Sequence, residues 1–388
     1  MQSFTFNSVA RIVSGSGEAL RLAGHCATLD AQKILLVTDP GLVSLGLIGP
    51  VQDALTEAGC EVTRFAKVAE DPPEAVVLEA AKVGREAGVE AVIAVGGGSS
   101  MDVAKVAAAL LGSDQPLTEM YGVDKITGGR LPMILVPTTA GTGSEVTPVA
   151  VITTGETTKA GVSSSVLLPD LAVLDADLTL GLPPTITAMT GVDAMVHAIE
   201  SYTSKLRKNP ISDTLARSAL QLLSGNIRTA VHDGKQRSAR AAMLLGAMQA
   251  GQAFANAPVA AVHALAYPLG GHYHIPHGLS NSLVLPSVLR FNLSEAAPLY
   301  AELATLVVGG AATGSDEARA MALVEGLEGL IRELGLPATL ADAGVREDSL
   351  EMLAEDAMLQ QRLLVNNPRE VALDDALSIY RSAYRAQA

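Results

Sequence analysis

The sequence predicts two regions of different class: an α/β domain built on a parallel sheet over residues 1–180, and an all-α domain over residues 181–388. Three observations lead there. Short β-branched runs alternate with amphipathic stretches through the first 180 residues, the pattern of strands joined by crossover helices. Beyond residue 181 strand-like runs become few and helical periodicity takes over. Between the two textures, GLPP at 181–184 supplies the Gly/Pro break expected at a boundary.

In chain order, KILLVTD (33–39), EVTRFAKV (61–68), AVIAVGGG (91–98) and MILVPTT (133–139) read as buried strands. VQDALTEAG (51–59) and PEAVVLEAAKVGREAG (73–88) read as the amphipathic helices between them. Strands this continuously apolar belong to a parallel sheet covered on both faces. In the second half, GVDAMVHAIES, SDTLARSALQLLSGNI (212–227), SARAAMLLGAMQAGQAF (238–254), EARAMALVEGLEGLIRELG (317–335) and ALDDALSIYRSAYRAQA (372–388) read as helices. Their alanine content is ordinary helix propensity.

Bulk composition narrows the function classes. At 388 residues the chain is long enough for two cores, and 48% hydrophobic with 18% charged residues is a globular balance. A net charge of −14 argues against nucleic acid or an anionic membrane as partner, since both need basic surface. Aromatics at 3% and no Trp leave few flat faces for stacking on sugars or single-stranded bases. Two cysteines make no disulfide framework, and MQSFTFNSVARIV does not read as a signal peptide, so a cytoplasmic chain is expected. No run of 18 apolar residues is present, and no membrane span is expected.

Two loops at strand ends carry polar chemistry. VIAVGGGSSMDVAK (92–105) runs from a strand through Gly96, Gly97 and Gly98 into a helix. Glycines let backbone N–H groups approach a ligand, and a helix N-terminus favours an anion such as a pyrophosphate. Ser99 and Ser100 could cap that helix or donate to phosphate; a capped tight turn explains the same residues. The segment is neither GxGxxG nor a Walker loop. VPTTAGTGSEVTP (136–148) puts Thr138, Thr139, Thr142 and Ser144 at the carboxyl end of the next strand, where open α/β sheets bind ligands. Asp39 closes an earlier strand; it could accept from ribose hydroxyls and repel a 2′-phosphate, favouring NAD over NADP, or simply cap a turn.

The histidines point to a metal. Four of the seven (His263, His272, His274, His277) fall in HALAYPLGGHYHIPH, and upstream Asp193 and His197 stand four apart in GVDAMVHAIES. On a helix, residues i and i+4 share a face, so a carboxylate and an imidazole project together. His263 and His277 are separated by a Gly/Pro-containing loop, and the fold must bring them to that helix. Three imidazoles and one carboxylate suit Fe(II) or Zn(II) better than Mg or Ca. An open coordination position would let such a metal polarise an alcohol or aldehyde oxygen.

Over essentially its whole length the chain resembles the iron-containing (group III) alcohol dehydrogenase family, in the wider group that includes glycerol dehydrogenase and dehydroquinate synthase. The resemblance rests on GGGSSMDVAK, PTTAGTGSEVTPVAVI, LPDLAVLD, GVDAMVHAIESYTS and HALAYPLGGHYHIPHGLSNSLVLP, in that order. It implies a Rossmann-like nucleotide-binding α/β domain followed by a helical metal-binding domain, the dehydroquinate synthase-like architecture. It implies Asp193, His197, His263 and His277 as metal ligands. It also implies Gly96, Gly97, Gly98, Ser99 and Asp102 around the NAD(P) pyrophosphate, with Thr138, Thr139, Thr142 and Ser144 lining the cofactor site. Lys159 in TKAGV matches a family lysine that reaches the nicotinamide ribose, and Asp39 an acidic position associated with NAD preference.

The activity implied is metal-dependent, NAD(P)-linked oxidation of a small alcohol or reduction of an aldehyde, by a homodimer or larger homo-oligomer. The sequence departs from the family at two places. Many members carry HxxxH at the third ligand, where this chain has Tyr267, and His272 and His274 stand where relatives hold apolar or small polar residues. Tyr267, His272 and His274 are therefore the candidates for proton relay. Pro258, in NAPVAAVHA, stands where many relatives are glycine-rich, which points to a different substrate. The alternatives are a hydroxyacid dehydrogenase or hydroxyacid–oxoacid transhydrogenase (for example on 4-hydroxybutyrate) and a maleylacetate reductase-like role. Dehydroquinate synthase chemistry needs several basic groups, and only Lys105, Lys159, Lys205 and Arg207 stand near these motifs.

Overall fold

The first unit, residues 7–181, is built on a six-stranded sheet. The computed structural model describes residues 3–155 and 158–385. The sheet's strands are β1 (Ile12–Ser14), β2 (Lys33–Val37), β3 (Glu61–Phe65), β4 (Ala91–Gly96), β6 (Met133–Pro137) and β9 (Leu171–Leu174). They lie in the order β1-β9-β6-β4-β2-β3, every pair parallel. A second, three-stranded sheet of β5 (Gly122–Val123), β8 (Thr158–Ser163) and β7 (Val149–Thr154) joins it in this unit.

Alternate residues of the strands feed two separate cores. Leu35, Val37, Val92, Ala94, Met133 and Leu135 pack on one face; Ile34, Leu36, Ala91, Ile93, Val95 and Ile134 pack on the other. That two-sided burial is why these strands read as unbroken apolar runs. Helices α1 (Leu22–Ala27), α2 (Pro40–Ser44), α3 (Ile48–Glu57), α4 (Glu74–Ala87) and α5 (Gly98–Gly112) complete the unit. The helix expected over 73–88 ends where Gly88 takes the left-handed conformation (φ 61°), as a terminating glycine should.

The chain leaves β2 for β3 on one side and returns to β4 on the other. Loops following β2 and β4 therefore diverge at a topological switch point, the place where open α/β sheets receive ligands. Asp39 follows β2, and Gly96–Gly98 close β4.

All four expected strands are present, each shorter than its run. KILLVTD stops at Val37 because Asp39 caps α2, and EVTRFAKV stops at Phe65. Strands β1, β5, β7, β8 and β9 were not read as strands; β1, β5 and β9 have at most four residues each, too few to show a period.

The second unit, residues 1–6 with 182–388, is helical. It comprises α6 (Pro184–Thr203), α7 (Pro210–His232), α8 (Arg237–Asn256), α9 (Ala261–Tyr273), α10 (His277–Val308), α11 (Asp316–Glu333), α12 (Leu350–Ala357), α13 (Gln361–Leu364) and α14 (Leu373–Tyr384). Helix α6 is buried almost all round from Thr187 to Thr203, so it is the core about which α7, α8 and α10 pack. The C-terminal helix expected to 388 ends at Tyr384, and residues 386–388 lie outside those described.

One expectation is corrected. The His-rich segment was read as a Gly/Pro-containing loop, but HALAYPLGGHY forms most of α9, with Pro268 inside it; only residues 274–276 separate it from α10. Ala261, Val262, Ala264, Leu265, Ala266 and Leu269 are all buried, and that packing outweighs the proline and glycine penalties.

Candidate active site

Helix α6 presents Asp193, His197 and Glu200 at i, i+4 and i+7, one face of the helix. Helix α9 brings His263 to that face, and His277 begins α10. One ligand atom each from Asp193, His263 and His277 falls within 4.8 Å of the others. His277 Nε2 is 3.7 Å from Asp193 Oδ1. His197 is not among these three; its ring stacks on His263 at 4.8 Å between centroids and on Phe254 at 4.4 Å.

Gly278 makes the approach possible. A Cβ there would stand 2.4 Å from the Met189 carbonyl oxygen and 3.3 Å from the Asp193 Cβ. No side chain fits in that space, so only glycine lets the start of α10 press against α6 and carry His277 to Asp193.

Two residues that the sequence reading missed organise the group. Glu200 Oε2 lies 2.6 Å from His263 Nδ1, and its Oε1 accepts from the Val262 N–H at 2.7 Å. With Nδ1–H given to that carboxylate, the lone pair of His263 rests on Nε2, facing Asp193 and His277. Asn281 Nδ2 donates to Asp193 Oδ1 at 2.6 Å and lies 3.3 Å from Nε2 of both His263 and His277. The signal for both was in the spacing: Glu200 is i+3 from His197, and Asn281 is i+4 from His277 on the same helix.

Electrostatics agree with a cation site. Burial alone would push the Asp193 carboxyl up, yet the imidazoles of His197, His277 and His263 and the Asn281 donor hold it below the usual carboxylate range. The donor set is one carboxylate oxygen and imidazole nitrogens, buried except at His277, with the buried Asn281 Oδ1 lacking a hydrogen-bond partner. Such a set fits Fe(II) or Zn(II).

The relay candidates separate. Tyr267 stands one turn along α9 from His263, half-buried, its ring 5.9 Å from that of His277. His272 is exposed, with Nε2 2.7 Å from Asp356 Oδ2. His274 is exposed in the left-handed conformation (φ 53°) and closes α9 with its N–H on the Gly270 carbonyl. Tyr267 is the one the structure places against the ligand group.

In the first unit, Gly97 precedes α5 and no side chain caps that 15-residue helix. Its leading N–H groups are thus left without a side-chain acceptor, as an anion cradle needs. Close packing explains the glycines: a Cβ at Gly96 would meet Ser100 at 2.5 Å, and one at Gly98 would meet Thr142 at 2.9 Å. Thr139 is the nearest neighbour of Gly97, at 3.7 Å from its would-be Cβ, and Thr138 N–H donates to the Gly96 carbonyl. The two polar loops thus form one surface. Asp39 Oδ1 caps α2 through the Leu42 N–H, while Oδ2 turns toward Gly96.

Not every expected residue faces that surface. Ser144 is buried, donating to Asp102 Oδ1 at 2.7 Å and accepting from Lys105. Lys159, on β8, pairs with Asp71 at 2.7 Å.

Comparison with known proteins follows the same division of the chain. A family model for iron-containing alcohol dehydrogenase matches residues 10–176, and one for the C-terminal part of the Fe-containing alcohol dehydrogenase family matches 187–384. Long-chain-alcohol dehydrogenase 1 of Geobacillus thermodenitrificans is 40% identical over 97% of this chain and 97% of its own. The crystal structure of a 1,3-propanediol oxidoreductase superposes with a TM-score of 0.95 at 34% identity, covering 99% of this chain and all of that one. Sulfoacetaldehyde reductase from Bifidobacterium kashiwanohense, solved with NAD+, gives a TM-score of 0.89 at 29% identity over the whole of both chains.

Proposed function

The chain belongs to the iron-containing alcohol dehydrogenase family, oxidoreductases acting on alcohols and aldehydes, and from that premise we propose its site assignments and substrate class. The substrate is a small primary alcohol or the corresponding aldehyde. Asp193, His263 and His277 hold a divalent metal, with His197 beside them as the fourth donor; Fe(II) is the family's metal and Zn(II) suits the same donors. The cofactor is NAD, with NADP the lesser alternative. Its pyrophosphate rests on Gly96–Ser99 at the N-terminus of α5, beside Thr138, Thr139 and Thr142; Asp39 serves a ribose, and Lys159 would reach one only on leaving Asp71. The single observation that carries the reading is the buried carboxylate–imidazole group whose His263 is oriented by Glu200.

A metal held there would supply Lewis-acid polarisation of an alcohol or carbonyl oxygen, and a bound nicotinamide would supply the hydride acceptor or donor. The protein does the rest. Asp193 and the imidazoles bind and orient, and Glu200 fixes the tautomer of His263. Burial of Asp193 and His263 excludes water from one side, while His277 is the member most open to solvent. Tyr267, beside His277, relays the proton that the alcohol loses: its oxygen accepts that proton as its own O–H passes one to water. The net charge of −14 supports a small-molecule partner with neither nucleic acid nor membrane, and the reading includes a cytoplasmic homo-oligomer.

The test is turnover followed by NADH absorbance, on protein stripped of metal and reloaded with Fe(II) or Zn(II), against primary alcohols, diols and hydroxyacids. Metal-dependent turnover of alcohols or diols is expected, and Asp193→Ala loses metal and nearly all turnover while still binding NADH. Asp193→Ala turning over at the wild-type rate would falsify the ligand assignment. Turnover confined to carboxylated substrates would move the chain to the hydroxyacid branch.

A further inference from the structure

In the helical unit, α10, α11 and the end of α14 enclose a small cavity that the proposed dehydrogenase chemistry does not use. Arginines line it from three separate places: Arg290 on α10, Arg332 on α11 and Arg385 directly after α14. Glu328 is the one acidic residue among those lining it. Three guanidiniums against one carboxylate reverse the sign that prevails on a chain of net charge −14. A hollow lined by one sign of charge focuses its field and draws the opposite ion.

The single carboxylate is already neutralised. Arg290 takes both Glu328 oxygens, through Nη1 and, at 2.8 Å, through Nη2, and the pair joins α10 to α11. The charges of Arg332 and Arg385 are left unbalanced within the cavity. Among the described residues the Arg332 guanidinium makes no hydrogen bond or ion pair. Arg385 gives Nη2 to Glu347 at 2.7 Å, but both members of that pair are exposed. Such pairs contribute little, so a better acceptor can displace Glu347. A buried hydroxyl adds a donor. Ser287 is 7% exposed and gives its proton to Ser382 Oγ at 3.3 Å. That is long against the roughly 2.5–3.0 Å usual between two oxygens, and a charged oxygen would hold the proton better.

Size narrows the ligand. The cavity leaves about 40 Å³ for the centres of water-sized atoms. One such atom needs roughly 10–15 Å³, so roughly three or four oxygens fit. That is one tetrahedral oxoanion, too little for a nucleotide. We propose that this cavity binds a phosphate group, held by the guanidinium forks of Arg332 and Arg385 with the Ser287 hydroxyl as a further donor. Ser287 stands ten residues along α10 from His277, so the site is distinct from the metal-binding group. A ligand gripped by α10, α11 and the end of α14 together binds only the folded unit, and it stabilises that unit by mass action.

The experiment is calorimetric titration of the metal-loaded enzyme with inorganic phosphate and with glycerol phosphate at constant ionic strength, for wild type, Arg332→Gln, Arg385→Gln and the double variant. Thermal melting in the same buffers gives a second readout. Wild type should bind with a Kd on the order of 1 mM, and each substitution should weaken binding about tenfold, as for the loss of a charge-assisted hydrogen bond. Phosphate should raise the Tm of wild type and leave that of the double variant unmoved, with metal content the same in all four proteins. Tighter binding of the monoester would identify the occupant as a phosphorylated metabolite, and tighter binding of inorganic phosphate would identify it as the free ion. If the double variant fails to fold, the single variants decide. No binding of either ligand to wild type overturns the proposal. So does wild-type affinity in the variants, which would place the phosphate on the metal or on the glycine turn of the other unit.

Discussion

At a single residue, the proposed proton path turns on Tyr267. It occupies the position one helical turn after His263, where many relatives of the family place a second histidine, and its ring lies against His277. Tyr267→Phe removes only the hydroxyl. Its kcat should fall roughly a hundredfold, with metal content unchanged by elemental analysis. An unaltered kcat would remove the hydroxyl from the proton path. His272 and His274 looked equivalent to Tyr267 in the sequence because a cluster of histidines carries no direction. The structure gives one to Asp356 and the other to a helix end.

At the level of elements, the site depends on where helices start. α10 begins at His277 because Pro276 and the left-handed His274 end the preceding turn, and Gly278 then lets it touch α6. Gly278→Ala would force the Cβ into the Met189 carbonyl and push His277 away from Asp193. The cost should be about 1–3 kcal/mol of stability, read by thermal melting, together with weaker metal binding by titration. Full metal affinity in that variant would show that α10 has slack which the packing denies. In the other unit, Glu145 is buried near Lys105, and desolvation raises its carboxyl to about 7 from an ordinary 4.5. A raised folded-state value means the native protein binds more protons than the unfolded chain between these limits, so this group's ionisation lowers stability as pH rises from 4.5 to 7. Glu145→Gln should then be nearly neutral at pH 5 and raise Tm at pH 7.5. A Tm difference that is the same at both values would rule out the buried charge as its source.

For the whole molecule, the chemistry is divided between two units. The residues proposed for the metal lie in 182–388, and those proposed for the nucleotide lie in 7–181. Metal removal should therefore lower Tm by mass action, about 2.7 kcal/mol of stabilisation being lost from a hundredfold excess over Kd, while NADH still binds the stripped protein. Loss of NADH binding on chelation would contradict that division. Among the described residues no single helix is long and apolar enough to cross a membrane.

The sequence by itself determined the class of both units, the four central strands and the candidates for the metal-binding group. Asp193 and His197 were legible because helix periodicity fixes which residues share a face, and the strands because two-sided burial leaves continuous apolar runs. The family motifs added the distant partners His263 and His277. Only the tertiary structure decided that Glu200 orients His263, that Asn281 touches all three ligand atoms, that the His-rich segment is helical, and that Ser144 belongs to a buried joint with Lys105 and Asp102. Each of those is a contact across α6, α9 and α10, or between α5 and a loop some forty residues away. Local pattern records which way a side chain leaves its own helix or strand; what it meets is set by packing among elements, which periodicity does not encode.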